Sequence, residues 1–120
     1  MKIIQSLHTA LLVSDLEKAN YFYGKILGLP QTERSLNFPG TWYQVSNFQI
    51  HLIQASSVIP DEVNPQKWGR NRHLAFSVDD LEEFKQKLIE NNCIFQMSSS
   101  GRAALFVQDP DGNIIELSQV

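Results

Sequence analysis

The interval from His8 to His73 equals the interval from His51 to Glu116, so four side chains able to bind a metal fall into two pairs at one offset. A fixed offset shared by two pairs points to a duplicated module, each copy supplying one matched pair of ligands. The repeat extends into the flanking chain. Ser6-Leu7-His8-Thr9-Ala10-Leu11-Leu12-Val13-Ser14-Asp15-Leu16 lies over Asn71-Arg72-His73-Leu74-Ala75-Phe76-Ser77-Val78-Asp79-Asp80-Leu81 without a gap, and Ile50-His51-Leu52 lies over Ile115-Glu116-Leu117. Two copies are too few for a solenoid, which leaves one internally duplicated domain.

At 120 residues the chain fits a single domain with a sizeable core, and its 42% hydrophobic and 19% charged residues suit a soluble globular protein. A net charge of −3 argues against nucleic acid as a partner, because tracking phosphates needs a basic excess or a basic face. Arg70 and Arg72 beside Trp68 form the one basic cluster and read as a solvated loop. No apolar stretch is long enough to cross a bilayer and no signal peptide opens the chain, so no membrane partner is expected and the expected location is cytoplasmic. Cys93 stands alone, which rules out an intrachain disulfide. Its neighbours Ile94 and Phe95 read as the setting of a buried structural thiol.

Periodicity gives each half the same element order. Gln5 to Val13 predicts a strand buried on both faces. Ser14 or Asp15 then caps a helix whose apolar stripe is Leu16, Ala19, Phe22, Tyr23, Ile26 and Leu27, ended by Gly28. Strands follow near Gln31 to Leu36, Thr41 to Ser46 and Phe48 to Gln54. In the second half, Arg72 to Val78 predicts a strand, and Asp79 or Asp80 caps a helix that buries Leu81, Phe84 and Leu88. Strands near Ile94 to Ser98, Ala103 to Gln108 and Asn113 to Gln119 complete the copy. Asp109-Pro110-Asp111-Gly112 is a turn between the last two. The predicted organisation is an α+β fold with module one at 1–55, a linker at 56–71 carrying Pro60, Pro65 and Gly69, and module two at 72–120.

Strand alternation places the four candidate ligands. His8 shares a face with Ala10 and Leu12, and His73 shares one with Ala75 and Ser77, while Leu11, Val13, Phe76 and Val78 face the helices. His51 and Glu116 each sit between apolar neighbours that take the helix side. All four therefore point away from the helix layer. A carboxylate in the run Asn113-Ile114-Ile115-Glu116-Leu117 needs a counter-charge, a hydrogen-bond network or a metal, and no Lys or Arg lies within that strand. Three imidazoles and one carboxylate can bind a divalent transition metal, with Fe, Ni, Co, Zn and Mn all compatible, and leave positions for a small-molecule substrate.

Val13-Ser14-Asp15-Leu16-Glu17-Lys18-Ala19, Phe22-Tyr23 and Leu27-Gly28-Leu29 resemble the first-helix signature of the vicinal oxygen chelate superfamily. Phe106-Val107, Asp109-Pro110-Asp111-Gly112-Asn113 and Ile115-Glu116-Leu117 resemble its closing signature. That superfamily includes glyoxalase I, extradiol dioxygenases, methylmalonyl-CoA epimerase, fosfomycin-resistance transferases and bleomycin-resistance proteins. The resemblance implies two tandem βαβββ modules whose mixed sheets curl around a metal-containing cleft, with His8, His51, His73 and Glu116 as metal ligands and Glu116 as the catalytic carboxylate. It also implies a homodimer with the cleft shared between chains.

Departures from the subfamily patterns divide the functional reading. Glyoxalase I has a glutamate where this chain has His51, which removes one candidate base and leaves Glu116. Extradiol dioxygenases use two histidines and one glutamate, matching His8, His73 and Glu116, with His51 then an extra ligand or an outer hydrogen-bond donor. Fosfomycin-type transferases share that set and bind a phosphonate in a basic, hydroxyl-rich pocket. Ser98, Ser99, Ser100 and Arg102 offer partial material for one, although the segment by itself reads as a polar turn. The expected function is a metal-dependent enzyme acting on a small oxygen-chelating substrate, by lactoylglutathione-lyase-like isomerisation or ring-cleaving dioxygenation. The alternatives are a small-molecule sequestering protein of the bleomycin-resistance type and a thiol transferase. Trp42, Tyr43, Phe38 and Phe48 are candidate cleft residues, with core or dimer packing as their competing role.

Overall fold

A computed structural model describes every residue except Leu36, so the far end of the strand expected at Gln31 to Leu36 lies outside the described residues. The chain divides into two units, Met1–Val58 and Ile59–Val120. Each contains a four-stranded mixed sheet with a helix on one side.

In the first unit, β1 (His8–Val13) runs into α1 (Leu16–Asn20), followed by β2 (Gln31–Thr32), β3 (Gly40–Val45) and β4 (Phe48–Gln54). The sheet order is β1-β4-β3-β2, with β1 parallel to β4 and the other pairs antiparallel. A parallel pair needs a crossover, and α1 supplies it. Asp15 starts the helix, its Oδ1 accepting from Lys18 N at 3.1 Å. The chain then widens into a π-helical turn over Tyr21–Ile26, and Gly28 ends it at φ 74°. Gly24 lies in that turn because the Tyr43 ring occupies the space beside it, an added Cβ meeting Tyr43 Oη at 3.3 Å. Ala19, Phe22, Tyr23, Ile26 and Leu27 pack with Val13, Tyr43, Ile50 and Leu52 to form the core.

The first strand is shorter than the sequence suggests and is not buried on both faces. His8, Ala10 and Leu12 are exposed while Val13 is fully buried, because α1 covers only one side of the sheet. Met1 to Leu7 form no strand. β3 and β4 join through Ser46 and Asn47, with Ser46 at φ 52° as the left-handed residue of a two-residue hairpin turn.

The second unit repeats the order with β5 (Leu74–Val78), α2 (Leu81–Glu90), β6 (Phe95–Met97), β7 (Ala104–Gln108) and β8 (Ile114–Gln119), in sheet order β5-β8-β7-β6. Asp80 caps α2 by accepting from Glu83 N, and Leu81 and Leu88 face Leu105, Val107, Ile115 and Leu117 in the core. The turn after β7 is built by the buried Asp109, whose carboxylate accepts from the backbone N of Asp111 and Asn113 and from Asn113 Nδ2, with Gly112 at φ 86°.

The segment read as a linker is structured along much of its length. From Ile59 onward it belongs to the second unit. Asp61 Oδ2 accepts from Ile114 N at 2.9 Å and Oδ1 accepts from Arg72 Nε at 2.6 Å. The buried Asn71 side chain accepts from the backbone N of Val63 and Asn64 and donates to the carbonyls of Asn64 and Trp68. Trp68, in a short 3-10 turn, packs with Phe106 and Ile114, and Gly69 lies so close to the Phe106 ring that an added Cβ would stand 2.6 Å from it. Arg72 of the basic cluster is thus engaged with a carboxylate. Among the described residues no helix is long and apolar enough to cross a membrane.

Three side chains test this packing and its caps. Replacing the fully buried Leu88 with alanine is expected to cost about 2–5 kcal/mol, read as a lower denaturant midpoint with unchanged slope. Asp109→Ala strips acceptors from buried donors and is expected to cost about 1–3 kcal/mol, whereas Asp15→Ala, at an exposed cap, costs about 1 kcal/mol.

Candidate functional site

Sheet register assembles each pair of candidate ligands in the same way. In the first unit Ala10 of β1 is the cross-strand partner of His51 on β4, and His8 is two residues earlier on the same face. In the second unit Ala75 of β5 is the partner of Glu116 on β8, with His73 two residues earlier. Alanine directly opposite the ligand position leaves room for the diagonal histidine to lean across. An aromatic residue closes the other side in each case, Trp42 opposite His51 and Phe106 opposite Glu116.

The second unit brings His73 and Glu116 into contact. His73 Nε2 lies 3.1 Å from Glu116 Oε1, and His73 Nδ1 lies 2.7 Å from the Asn71 carbonyl oxygen. A carbonyl only accepts, so Nδ1 carries a proton and donates it there. Nε2 then faces a carboxylate oxygen, an arrangement matched either by a second proton, giving an imidazolium–carboxylate pair, or by a cation. Two donors each about 2.1 Å from one ion stand about 3.0–3.4 Å apart at octahedral to tetrahedral angles, a range that includes the 3.1 Å separation of this pair. The ring also meets Phe106 edge-on at 5.4 Å.

Glu116 has more company than its own strand shows. Burial raises its carboxyl, but the Ser118 hydroxyl donating to Oε2 at 2.5 Å, the Arg102 guanidinium 3.5 Å away and the His73 ring outweigh that, and hold it below the usual carboxylate range. The group is therefore favoured in its ionised form, which suits it to holding a cation. Arg102 reaches it from the loop before β7 and also donates from Nε to Ser100 Oγ at 3.2 Å, while Ser100 and Ser98 share a hydrogen bond. Ser118 follows from strand alternation, since it shares the Glu116 face. Arg102 and the Asn71 carbonyl give no such signal, being fixed by loops.

The first unit presents a different arrangement. The His8 and His51 rings stack with centroids 4.0 Å apart and planes 14° from parallel, and Trp42 stacks on His51 at 4.0 Å and 6°. Each such contact contributes about 0.5–1.5 kcal/mol. His51 Nε2 donates to Gln49 Oε1, Gln49 Nε2 to Gln44 Oε1 and Gln44 Nε2 to the Ser46 carbonyl. Burial, then the neighbouring His8 and Arg34, lower the proton affinity of His51, so its ring is neutral at neutral pH. These rings line a cleft of about 650 Å³ together with Leu7, Phe38, Gln44 and Ile53.

Of the aromatic candidates, Trp42 and Phe38 line this cleft, with Arg34 stacked on the Phe38 ring. Tyr43 does not. It is buried on the helix side, where its hydroxyl donates to Asn20 Oδ1 at 2.7 Å and burial raises its proton affinity, and Phe48 is not among the cleft residues either. Cys93 is half-buried and not fully buried, and Ile94 beside it is exposed. Burial pushes its thiol up, away from nucleophile chemistry. Among the described residues no three of His, Cys, Asp and Glu stand together as a metal site.

Known proteins share this plan. The model of the Glyoxalase/Bleomycin resistance protein/Dioxygenase superfamily matches residues 5–117. A lactoylglutathione lyase of Escherichia coli O157:H7 is 32% identical over 92% of this chain and 89% of its own length. A glutathione transferase FosA of Serratia marcescens is 31% identical over 96% of this chain and 81% of its own. The crystal structure of a glyoxalase/dioxygenase from Nostoc punctiforme superimposes with a TM-score of 0.74 at 27% identity, covering 92% of this chain and 86% of that one. With its paired mixed sheets and near-complete family match, the chain belongs to the Glyoxalase/Bleomycin resistance protein/Dioxygenase superfamily.

Proposed function

We propose that this chain is a metal-dependent enzyme acting on a small molecule with adjacent oxygens. His73 and Glu116 would hold a divalent transition metal, with the imidazoles of His8 and His51 as further candidate ligands. The observation that carries the reading is the 3.1 Å approach of His73 Nε2 to Glu116 Oε1, with Nδ1 committed to the Asn71 carbonyl. When bound, the ion supplies Lewis acidity to substrate oxygens on which negative charge develops.

The protein's own groups prepare that chemistry. The Asn71 carbonyl fixes the His73 tautomer and ring orientation. Ser118 and Arg102 keep Glu116 ionised and orient Oε2. Leu7, Phe38, Trp42 and Ile53 give the first-unit cleft an apolar wall for a bound ligand, and Gln44 and Gln49 supply amides beside it.

Isomerisation of the lactoylglutathione-lyase type is the leading reaction, supported by the 32% identical relative. Ring-cleaving dioxygenation would draw on His8, His73 and Glu116. A second reading, thiol transfer to an anionic substrate, is favoured by Arg102 and the Ser98–Ser100 hydroxyls beside Glu116 and by the relative named a glutathione transferase. A homodimer that shares its cleft between copies is part of the proposal. Leu7 at 63% and Leu12 at 46% exposure, flanking His8, support it as apolar surface for a partner to cover.

Protein purified without chelator is expected to carry stoichiometric transition metal and to turn over the hemithioacetal of glutathione and methylglyoxal. Catechols and a phosphonate epoxide with glutathione test the other reactions. His73→Ala and Glu116→Ala should each reduce bound metal to background with a near-native circular dichroism spectrum, and unchanged metal in both would remove the assignment. Metal-free protein that binds a small ligand without converting it would indicate sequestration instead. Sedimentation should give twice the chain mass, and a strictly monomeric protein would contradict the shared cleft.

A further inference from the structure

We infer, on the metal-dependent reading above, that the buried side chain of Asn71 is a positioning residue that aims the His73 imidazole. His73 precedes β5, whose pairing with β8 begins at Leu74, so the sheet ladder does not itself fix the ring. Its contacts are the Asn71 carbonyl, 2.7 Å from Nδ1, and the Phe106 ring, met edge-on at 5.4 Å. A backbone carbonyl orients a ligand only as well as its own residue is held. Asn71 lies between the 3-10 turn at Trp68–Arg70 and β5 and belongs to neither, so no helix or strand holds it.

The side chain takes over that task. Asn71 is 8% exposed, and its Oδ1 accepts from Val63 N at 2.6 Å and from Asn64 N at 2.8 Å. Nδ2 donates to the carbonyls of Asn64 at 3.0 Å and Trp68 at 3.1 Å. Both acceptor sites and both protons of the amide are thus used. Turning the amide over would set oxygen against carbonyls and nitrogen against N–H groups, so its orientation is fixed as well as its place. The Asn71 backbone N also donates to the Trp68 carbonyl, at 3.0 Å. With side chain and backbone nitrogen anchored at φ −97° and ψ 165°, the remaining polar group is the carbonyl, and it faces His73.

The same segment supplies the ring's other contact, because Trp68 packs on Phe106 and Gly69 lies close against that ring. Residues 61–71 therefore set both contacts of the imidazole. Holding Nδ1 on a carbonyl turns Nε2 toward Glu116 and makes it a better donor to a cation. Ser6 stands at the equivalent place before His8. It is exposed, and its single hydroxyl cannot make four such bonds, so the clasp is a device of the second copy.

Asn71→Ala removes the clasp, and Asn64→Ala is its control. The Asn64 side chain braces the same segment by accepting from Gln66 N at 3.1 Å and Lys67 N at 2.9 Å, outside the clasp. In a cobalt(II) titration Asn71→Ala should bind at least about tenfold more weakly than the unaltered protein, and Asn64→Ala within about threefold. The nitrogen-15 correlated signal of the His73 Nδ1 proton should broaden by exchange in Asn71→Ala and persist in Asn64→Ala. Equal weakening in the two variants would make Asn71 a brace for the loop only and overturn the inference. Unchanged cobalt affinity in Asn71→Ala would do the same.

Spectra of the unaltered protein give a reading that needs no variant to fold. The His73 Nδ1 proton and the Asn71 Nδ2 protons should exchange slowly with water, and added zinc should shift His73 Nε2 while the Nδ1 proton stays. Zinc on Nδ1, or an Asn71 amide exchanging as fast as an exposed one, would sink the assignment. Absence of cobalt binding by the unaltered protein overturns the metal-dependent reading and the inference with it. Full cobalt binding in Asn71→Ala overturns only the role given to Asn71.

Discussion

The pairing of Ala10 with His51 and of Ala75 with Glu116 is the constraint from which the site is built. A strand has a side-chain period of two, so sliding β1 or β5 by one residue would turn His8 or His73 onto the helix side and put an apolar side chain in its place. The buried rows prevent that slip. Val13, Ile50 and Leu52 in one unit and Ile115 and Leu117 in the other are locked against helices capped by Asp15 and Asp80. Hydrophobic packing on one face of each sheet thereby sets the position of polar chemistry on the other.

On that shared frame the two halves have diverged. The second unit uses its frame electrostatically, with a carboxylate held ionised by a hydroxyl and a guanidinium and facing an imidazole whose far nitrogen is tied to a backbone carbonyl. The first uses the equivalent positions for a stack of three rings and a relay of amides. The same strand register places an imidazole–carboxylate pair in one half and an aromatic cleft wall in the other.

Much of this was legible in the sequence because it is periodic. The repeat offset, the alternation around His8 and His73, the capping aspartates and the Asp109 turn each have a local signature, and the structure places the corresponding elements close to those positions. What was not legible depends on contacts between distant residues. The π-helical turn over Tyr21–Ile26 leaves the apolar spacing of a helix almost unchanged, so the sequence reads as one continuous stripe. The first strand's apolar run suggested burial on both faces, yet α1 covers only one. The stretch of prolines and glycine after Ser56 looked like a linker, but Asp61, Trp68 and Asn71 draw most of it into the second unit through bonds to Ile114, Gln96 and the segment's own backbone. At the site, side-chain direction was recoverable but nitrogen protonation was not, because it is fixed by a backbone carbonyl at Asn71 and by the Gln49–Gln44 relay, neither of which has a signature in residue type or spacing.

The central claim is that His73 and Glu116 are poised for a cation and not simply for each other. Anomalous diffraction at the cobalt edge, from crystals grown with that ion, tests it most directly. The account predicts a single strong peak within about 2.3 Å of both His73 Nε2 and a Glu116 carboxylate oxygen. A map with no peak there, and with the imidazole still hydrogen-bonded to the carboxylate, would contradict it.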